Sequence, residues 1–268
     1  MNRERIALVA VTGLLVLPVA VDAQSSCENW GGDREEGHCE VRELRIDPVD
    51  FLDVDGGQNG GVEIIGWSQS EILIEARVWA RARDDAQARE LVDDIRVLVE
   101  RGRVHAEGPR RGSRRESLGV SYVIHAPHET DLELNAQNGG ISISDVRGAI
   151  DFGTQNGGVH LSGLSGEVHG RTQNGGVTVE LDGDRWQGRE LDVETQNGGV
   201  TVVIPEGFSA DFETGTVNGS LDLDFPLTIQ GRISKRIRTT LGEGGPSVRV
   251  VTTNGGVKLR RSGGARRR

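Results

Sequence analysis

An asparagine-glycine element recurs at Asn59, Asn138, Asn156, Asn174, Asn197, Asn218 and Asn254, taking seven of the ten asparagines in the chain. The intervals are 79, 18, 18, 23, 21 and 36, so most cluster around one unit, the last spans two, and the first holds an insertion. A fixed period of about 20 residues is the mark of stacked supersecondary units. The three positions after each element read apolar, polar, apolar, from Val62-Glu63-Ile64 through Val177-Thr178-Val179 to Val257-Lys258-Leu259. Leu132/Leu134, Ile150/Phe152, Leu191/Val193 and Val248/Val250 alternate in the same way on the other side of the turn. Such period-2 runs are strands with one buried face, so each repeat reads strand, turn, strand, turn. Second corners such as "SDVRG", "SGLSG" and "DGDRWQG" carry the small and polar residues that tight turns need.

Asn-Gly between alternating runs is also the strongest short hairpin signal, so an antiparallel meander is the simpler reading. It explains the turns. It does not explain why one corner keeps the wording Thr-Gln-Asn-Gly-Gly while the other varies. Equivalent corners stacked about 4.8 Å apart select one another, which favours an all-β chain built as a β-solenoid (β-helix-like) over residues 131–260, with about six rungs. Thr154, Thr172, Thr195, Thr216 and Thr252 share the parity of the apolar set, so threonine and asparagine are both predicted to point inward. There the amides would bond along a ladder. The asparagines and glycines are predicted to use left-handed backbone. Each rung buries about four aliphatic side chains, each contributing on the order of 1.5–3 kcal/mol before entropy is charged.

Residues 40–130 read as an N-terminal cap with one short helix and the first rung. "CEVRELRID", "EILIEARVWARA" and "LGVSYVIHAP" are strands, and "IRVLVERGRVHAEG" is a hairpin. In "DDAQARELVDD", Asp84 or Asp85 can cap a helix that turns Leu91 and Ile95 to the core. This cap is predicted to protect the first sheet edge. "FPLTIQGRISKRIRTTLGEGGPS" is predicted as a less regular closing rung, Arg110 to Arg115 as a basic loop, and residues 261–268 as a disordered basic tail.

Two arginines, an apolar run and a small-residue cleavage pattern make residues 1–23 a secretory signal peptide. The rival is an uncleaved anchor, for which roughly 16 apolar residues fall short of the ~20 a bilayer needs. After cleavage no integral membrane segment is expected, and the mature chain is predicted to be periplasmic or extracellular. In segment 24–39, Cys27 and Cys39 are predicted to close a disulfide worth on the order of 3 kcal/mol. A metal pair with His38 is the alternative, but no further cysteine completes a ligand set. A net charge of -10 argues against nucleic acid as a partner.

The "QNGGV" and "VNGSL" units, the preceding "ARDDAQARELVDDIRVLVERGRVHAEG" and the strand "VSYVIHAPHETDLEL" resemble the bacterial family of domain of unknown function 4097, also called the "putative adhesin" family. The typical family turn is close to Val-Asn-Gly-Asp-Ile. Here most corners use Gln-Asn-Gly-Gly, and only Val217 to Ser220 reads Val-Asn-Gly-Ser. The resemblance implies a β-solenoid exported to the envelope and brings no catalytic residues.

"QNGG" precedes a strand and lacks the lysine of a phosphate-binding loop, and the corners lack the aspartates of calcium-binding repeats. Asp192/Glu194, Asp211/Glu213 and Asp222/Asp224 recur on alternate positions, as in polysaccharide-active β-helix enzymes or on any solvated sheet face. His125 and His128 are three apart on a strand and face opposite ways, with His160 and His169 further along, so no metal site is expected. Trp30, Trp67, Trp79 and Trp186 could stack on sugars or pack loops, and Trp186 is predicted to be the most exposed. No catalytic, cofactor-binding or metal residue is assigned. Cys27, Cys39 and the seven asparagines are assigned structural roles. The functional reading is a non-enzymatic envelope or secreted module that binds an envelope polymer or a surface protein. The alternatives are an accessory or sensory envelope-stress protein with one specific partner, and a polysaccharide-active enzyme.

Overall fold

Alternating sequence becomes alternating burial wherever two sheets can face each other across an apolar interior. The computed structural model describes residue 27 and residues 36–109, 116–224 and 235–262; the signal segment, Trp30, the Arg110 to Arg115 loop and most of the basic tail lie outside them. The chain begins with β1 (Glu36–Ile46), β2 (Phe51–Asp55), β3 (Val62–Trp67) and β4 (Ile72–Ala82), then the helix α1 (Asp85–Asp93). The hairpin β5 (Arg96–Glu100) and β6 (Arg103–Glu107) follows, then β7 (Ser117–Pro127), β8 (Asp131–Ala136), β9 (Ile141–Ser144), β10 (Arg147–Thr154), β11 (Val159–Ser162), β12 (Ser165–Asn174) and β13 (Val177–Glu180). The last part holds β14 (Gly188–Asn197), β15 (Val200–Ile204), β16 (Ala210–Asn218), β17 (Leu221–Leu223), β18 (Arg236–Leu241), β19 (Ser247–Asn254) and β20 (Val257–Arg261).

These strands make two ten-stranded sheets, ordered β1-β4-β7-β3-β9-β11-β13-β15-β20-β17 and β18-β16-β19-β14-β12-β10-β8-β2-β6-β5. Neither closes on itself. The strands on either side of each asparagine corner belong to different sheets, and each pairs in parallel with its counterpart one repeat away, as in Ile150↔Val168 and Val159↔Val177. The corners therefore do not close hairpins. Leu52, Leu132, Ile150, Val168, Leu191, Val248 and Phe212 line the interior from one sheet, and Ile64, Ile143, Leu161, Val179, Val202 and Leu259 from the other. Phe152 fills the space over Gly170, where an added Cβ would lie 1.9 Å from the ring.

The threonines turn inward as the parity predicts. Thr154, Thr172, Thr195, Thr216 and Thr252 are all buried. Four of them donate to a glycine carbonyl of the neighbouring repeat, for example Thr195 Oγ1 to Gly175 O at 2.8 Å and Thr252 Oγ1 to Gly198 O at 2.8 Å. This gives each buried hydroxyl the partner it needs.

The asparagines do not turn inward. Asn59 is half-buried, and Asn138, Asn156, Asn174, Asn197, Asn218 and Asn254 are exposed. In β12, β14, β16 and β19 the strand runs through the asparagine and bends only at the glycine after it, yet the alternation of burial stops at the threonine, and both residues that follow it are exposed. The left-handed backbone is absent too, since no asparagine of the seven and no glycine directly following one has a positive φ. Those glycines answer a different demand. A Cβ on Gly198 would stand 2.0 Å from the carbonyl oxygen of Gly175, whereas one on Gly199 would sit at an ordinary 3.5 Å from Gly256 O.

Upstream, β1, β4 and β7 pair antiparallel and extend the first sheet beyond β3, while β6 and β5 extend the second beyond β2. The β5–β6 turn is Arg101-Gly102, both at positive φ. Asp84 is the helix N-cap, its Oδ1 accepting from Gln87 N at 2.9 Å. The helix buries Ala88 and Val92; Ile95 is buried just past its end, and Leu91 is only partly buried. Arg42 of β1 donates to the carbonyls of Val92, at 3.0 Å, and Ile95, tying the first strand to the end of the helix. Cys27 and Cys39 form a disulfide with Cα atoms 5.8 Å apart.

The closing end departs from the sequence order. β19 and β20 lie between β14/β15 and β16/β17, so the rung of Asn254 precedes that of Asn218 in the stack. The edge of the second sheet is β18, antiparallel to β16. Gly215 permits this contact, because a Cβ there would come 2.6 Å from Lys235 O, and Glu213 receives Arg236 at 3.3 Å and Arg238 on the neighbouring strand. At the position level with Gly215, β19 carries Val251.

Two substitutions separate close approach from glycine flexibility. Gly198→Ala should lower unfolding free energy by about 1–3 kcal/mol through overpacking, and Gly199→Ala by no more than about 0.5 kcal/mol. Urea denaturation measures both. Asn174 donates its side-chain amide to Asn156 and accepts from Asn197, whereas Asn218 only donates, to Asn254, so of the two Asn174→Ala should cost about 1–2 kcal/mol and Asn218→Ala about half as much. Thermal melts of the two variants check the ratio.

Candidate binding surface

The exposed asparagines form one continuous chain of amides. Asn138 donates to Asn59 at 3.4 Å, Asn156 to Asn138 at 2.8 Å, Asn174 to Asn156 at 2.8 Å, Asn197 to Asn174 at 2.9 Å, Asn254 to Asn197 at 2.8 Å and Asn218 to Asn254 at 2.8 Å. Asn59 ends the chain on the carbonyl of Leu118 at 3.0 Å. Every amide points the same way, so the dipoles polarise one another along the stack. Gln137 and Gln155 make a similar contact at 3.3 Å one residue earlier.

Beside this edge the outer face of the second sheet carries rows set by strand register. One row is Asp53, Glu133, Asp151, His169, Asp192, Arg249 and Glu213. The next is Asn135, Gly153, Arg171, Glu194, Val251 and Gly215. The small residues of the second row sink below the flanking glutamines and charges, and leave a groove of about 1010 Å³ from Asn135 on β8 to Lys235 beyond β16. Along it Arg171 pairs with Glu194 at 3.0 Å, and Arg249 with Asp192 and, at 3.6 Å, with Glu194. A second concavity of about 540 Å³ on the first sheet is floored by Gly61, Gly140, Gly158 and Gly176 and bordered by Glu63 and His160.

The three carboxylate pairs are all engaged. Asp192 and Glu194 meet Arg249, Glu213 meets Arg236 and Arg238, and Asp211 accepts from Thr240 at 3.3 Å. Arg260 holds both Asp222 and Asp224, at 2.8 and 2.9 Å. Its hydrogen bond, and then its charge, keep the Asp222 carboxyl below the usual carboxylate range, against a smaller effect of burial. A general acid needs the opposite displacement.

The histidines singled out from the sequence do not converge. His125 stacks on Trp67 with ring centroids 5.1 Å apart, His128 contacts Asp145 O at 2.7 Å, and His160 lies 3.9 Å from Glu180. His169 instead sits against Glu167 and Glu190, neither of which the histidine spacing points to; the Glu-x-His spacing in "GEVHG" carries a signal for Glu167. Trp186, predicted to be exposed, is buried, with Nε1 donating to Gly166 O at 3.1 Å, because the second corner folds its indole under the neighbouring strand. Trp67 Nε1 donates to Glu71 O at 2.9 Å, and Trp79 is half-buried. Neither is a free sugar platform.

Among the described residues no helix is long and apolar enough to cross a membrane. Among the described residues, fold and surface together define an all-β architecture with two long sheets and one small helix. The chain belongs to the family described as Toastrack DUF4097, whose sequence profile matches residues 93–260. Similar solved structures include a "putative cell adhesion protein" from Clostridium sporogenes, at 10% identity and TM-score 0.43, covering 84% of this chain and 100% of that one. A "putative adhesin" from Bacteroides fragilis aligns at 11% identity and TM-score 0.42, covering 83% and 97%. A "putative lipid binding protein" from Parabacteroides distasonis aligns at 12% identity and TM-score 0.33, covering 82% and 96%. No curated protein matches the sequence.

The Asp222 geometry makes a signed prediction. A carboxyl lowered in the folded state contributes stability above its ordinary value of 3.8, and that contribution disappears as pH falls through the folded value. Arg260→Met should raise the Asp222 titration midpoint toward 3.8, read by carboxyl NMR, and added salt should shrink the difference because the pair is exposed.

Proposed function

We propose that the chain is a non-enzymatic β-solenoid of the cell envelope that binds an extended envelope polymer or a surface protein. The seven asparagines and the Cys27–Cys39 bridge would be structural, and the outer face of the second sheet would be the recognition surface. One observation supports this most: the groove beside the ladder crosses β8, β10, β12, β14, β19 and β16 without interruption and offers amides and charges of both signs at a repeating spacing. Extended ligands suit such a surface, since each repeat presents a similar set of donors and acceptors. The export pattern of residues 1–23 supports placement outside the cytoplasm. Arginine pairing of the carboxylates speaks against the polysaccharide-enzyme alternative.

The expected outcome is that purified protein sediments with cell-envelope fractions of the source bacterium. The paired change Arg171→Glu and Gln173→Glu should weaken retention by at least about tenfold, the size of change seen when central contacts of an interface are lost. Absence of retention by envelope fractions, whole cells and purified glycans alike would rule out the adhesive reading. Crosslinking to one protein alone would replace it with the partner-specific one.

A further inference from the structure

We propose that Glu167, His169 and Glu190 form a binding site for one divalent late first-row metal ion, with Zn²⁺ as the probe. The site is made by an irregularity of the β12–β14 ladder. Gly166 pairs with Gly188 but Glu167 pairs with Glu190, so Arg189 is an extra residue and the register shifts there. Bulges re-aim side chains, and this one sets two glutamates level on adjacent parallel strands. Like charges directly opposite each other destabilise a sheet unless something positive lies between them.

The imidazole of His169 lies where both carboxylates meet. Its Nε2 is 3.3 Å from Glu167 Oε1 and 3.6 Å from Glu190 Oε1, and the three donors lie within 4.8 Å of one another. A charge-assisted hydrogen bond between such groups would close to about 2.7–2.9 Å. Nε2 and Glu167 Oε1 are within hydrogen-bond reach without an ion, and since ligands about 2.0–2.1 Å from a tetrahedral ion stand roughly 3.3 Å from one another, both separations also suit co-ligands of one ion. Arg189 holds the other oxygen of Glu167 at 2.9 Å and leaves Oε1 turned to the histidine, the role an outer-shell partner plays at a metal site.

The surrounding charge favours a cation. His169 is flanked in its row by Asp151 and Asp192, the latter paired with Arg249, and Arg189 is the cation that contacts the cluster. The three side chains are 33% to 43% exposed, open enough for an ion to enter and restrained enough to hold position. An imidazole with two carboxylates selects late first-row ions over Mg²⁺ or Ca²⁺, which take oxygen-only sets. Three protein donors leave one position for water or for a donor from a second molecule.

Isothermal titration of the untagged chain with ZnCl₂ tests the assignment. One equivalent should bind, with Kd raised at least about tenfold by His169→Ala and by Glu190→Gln, the lower end of the loss expected when a metal-site contact is removed. His160→Ala should leave binding unchanged. Circular dichroism of each variant verifies folding, and a Zn²⁺-dependent rise in Tm should appear in the parent and in His160→Ala only. No binding to the folded parent, or binding that survives both site substitutions, would overturn the proposal. The first result would leave the cluster as a plain ion pair, and the second would locate the ion elsewhere. Retention by envelope fractions is a separate readout, so its failure would not bear on this site.

Discussion

Parallel, in-register pairing of equivalent residues is the constraint on which the rest of the structure depends. Once one repeat lies on the next at the spacing of paired strands, like residues meet like. Valine and leucine rows fill the interior, threonine hydroxyls reach the glycine carbonyls of the adjacent repeat, and exposed amides join head to tail. The same spacing dictates the glycine after each asparagine. Neighbouring corners approach so closely that a Cβ on Gly139, Gly157, Gly175, Gly198 or Gly255 would strike a glycine carbonyl at 1.8–2.0 Å. The repeated wording of these corners therefore follows from stacking rather than from ligand chemistry.

The surface follows from the same rule. A stack of parallel strands turns a residue position into a row, and rows of unlike charge across the second sheet become the network of Arg171, Glu194, Arg249 and Asp192. Glycine and valine in the adjoining row leave a groove between the flanking side chains. Where the register slips, at Gly166 and Glu167, the row is broken and two glutamates and a histidine are brought together instead. Regular pairing thus makes the broad surface, and the β12–β14 irregularity gathers the three side chains proposed as metal ligands.

Much of this was legible in the sequence, and the misses have physical causes. Period-2 alternation gave the strands, and Asp84 gave the helix start, because both depend on neighbours within a few residues. Threonine burial followed from parity, but the alternation ends at the threonine, where the sheet edge reaches the corner, so the asparagines came to face solvent. Trp186 reads as a loop residue until the neighbouring repeat offers the Gly166 carbonyl to its indole. Glu190 belongs with His169 only through a bulge, which shifts register by one residue and leaves no local signature.

The sequence by itself determined which residues form strands and which side of each strand is buried, since both follow from side-chain periodicity and the exclusion of apolar groups from water. Tertiary structure alone decided the order of the stack. The rungs of Asn218 and Asn254 carry the same pattern and could each follow Asn197. What separates them is the far edge: Gly215 and Glu213 accept the antiparallel strand β18 with its two arginines, while Val251 stands where Gly215 leaves room. The C-terminal rung is accordingly seated between the two earlier ones, because the rung of Asn218 has room for the edge strand β18 at its side.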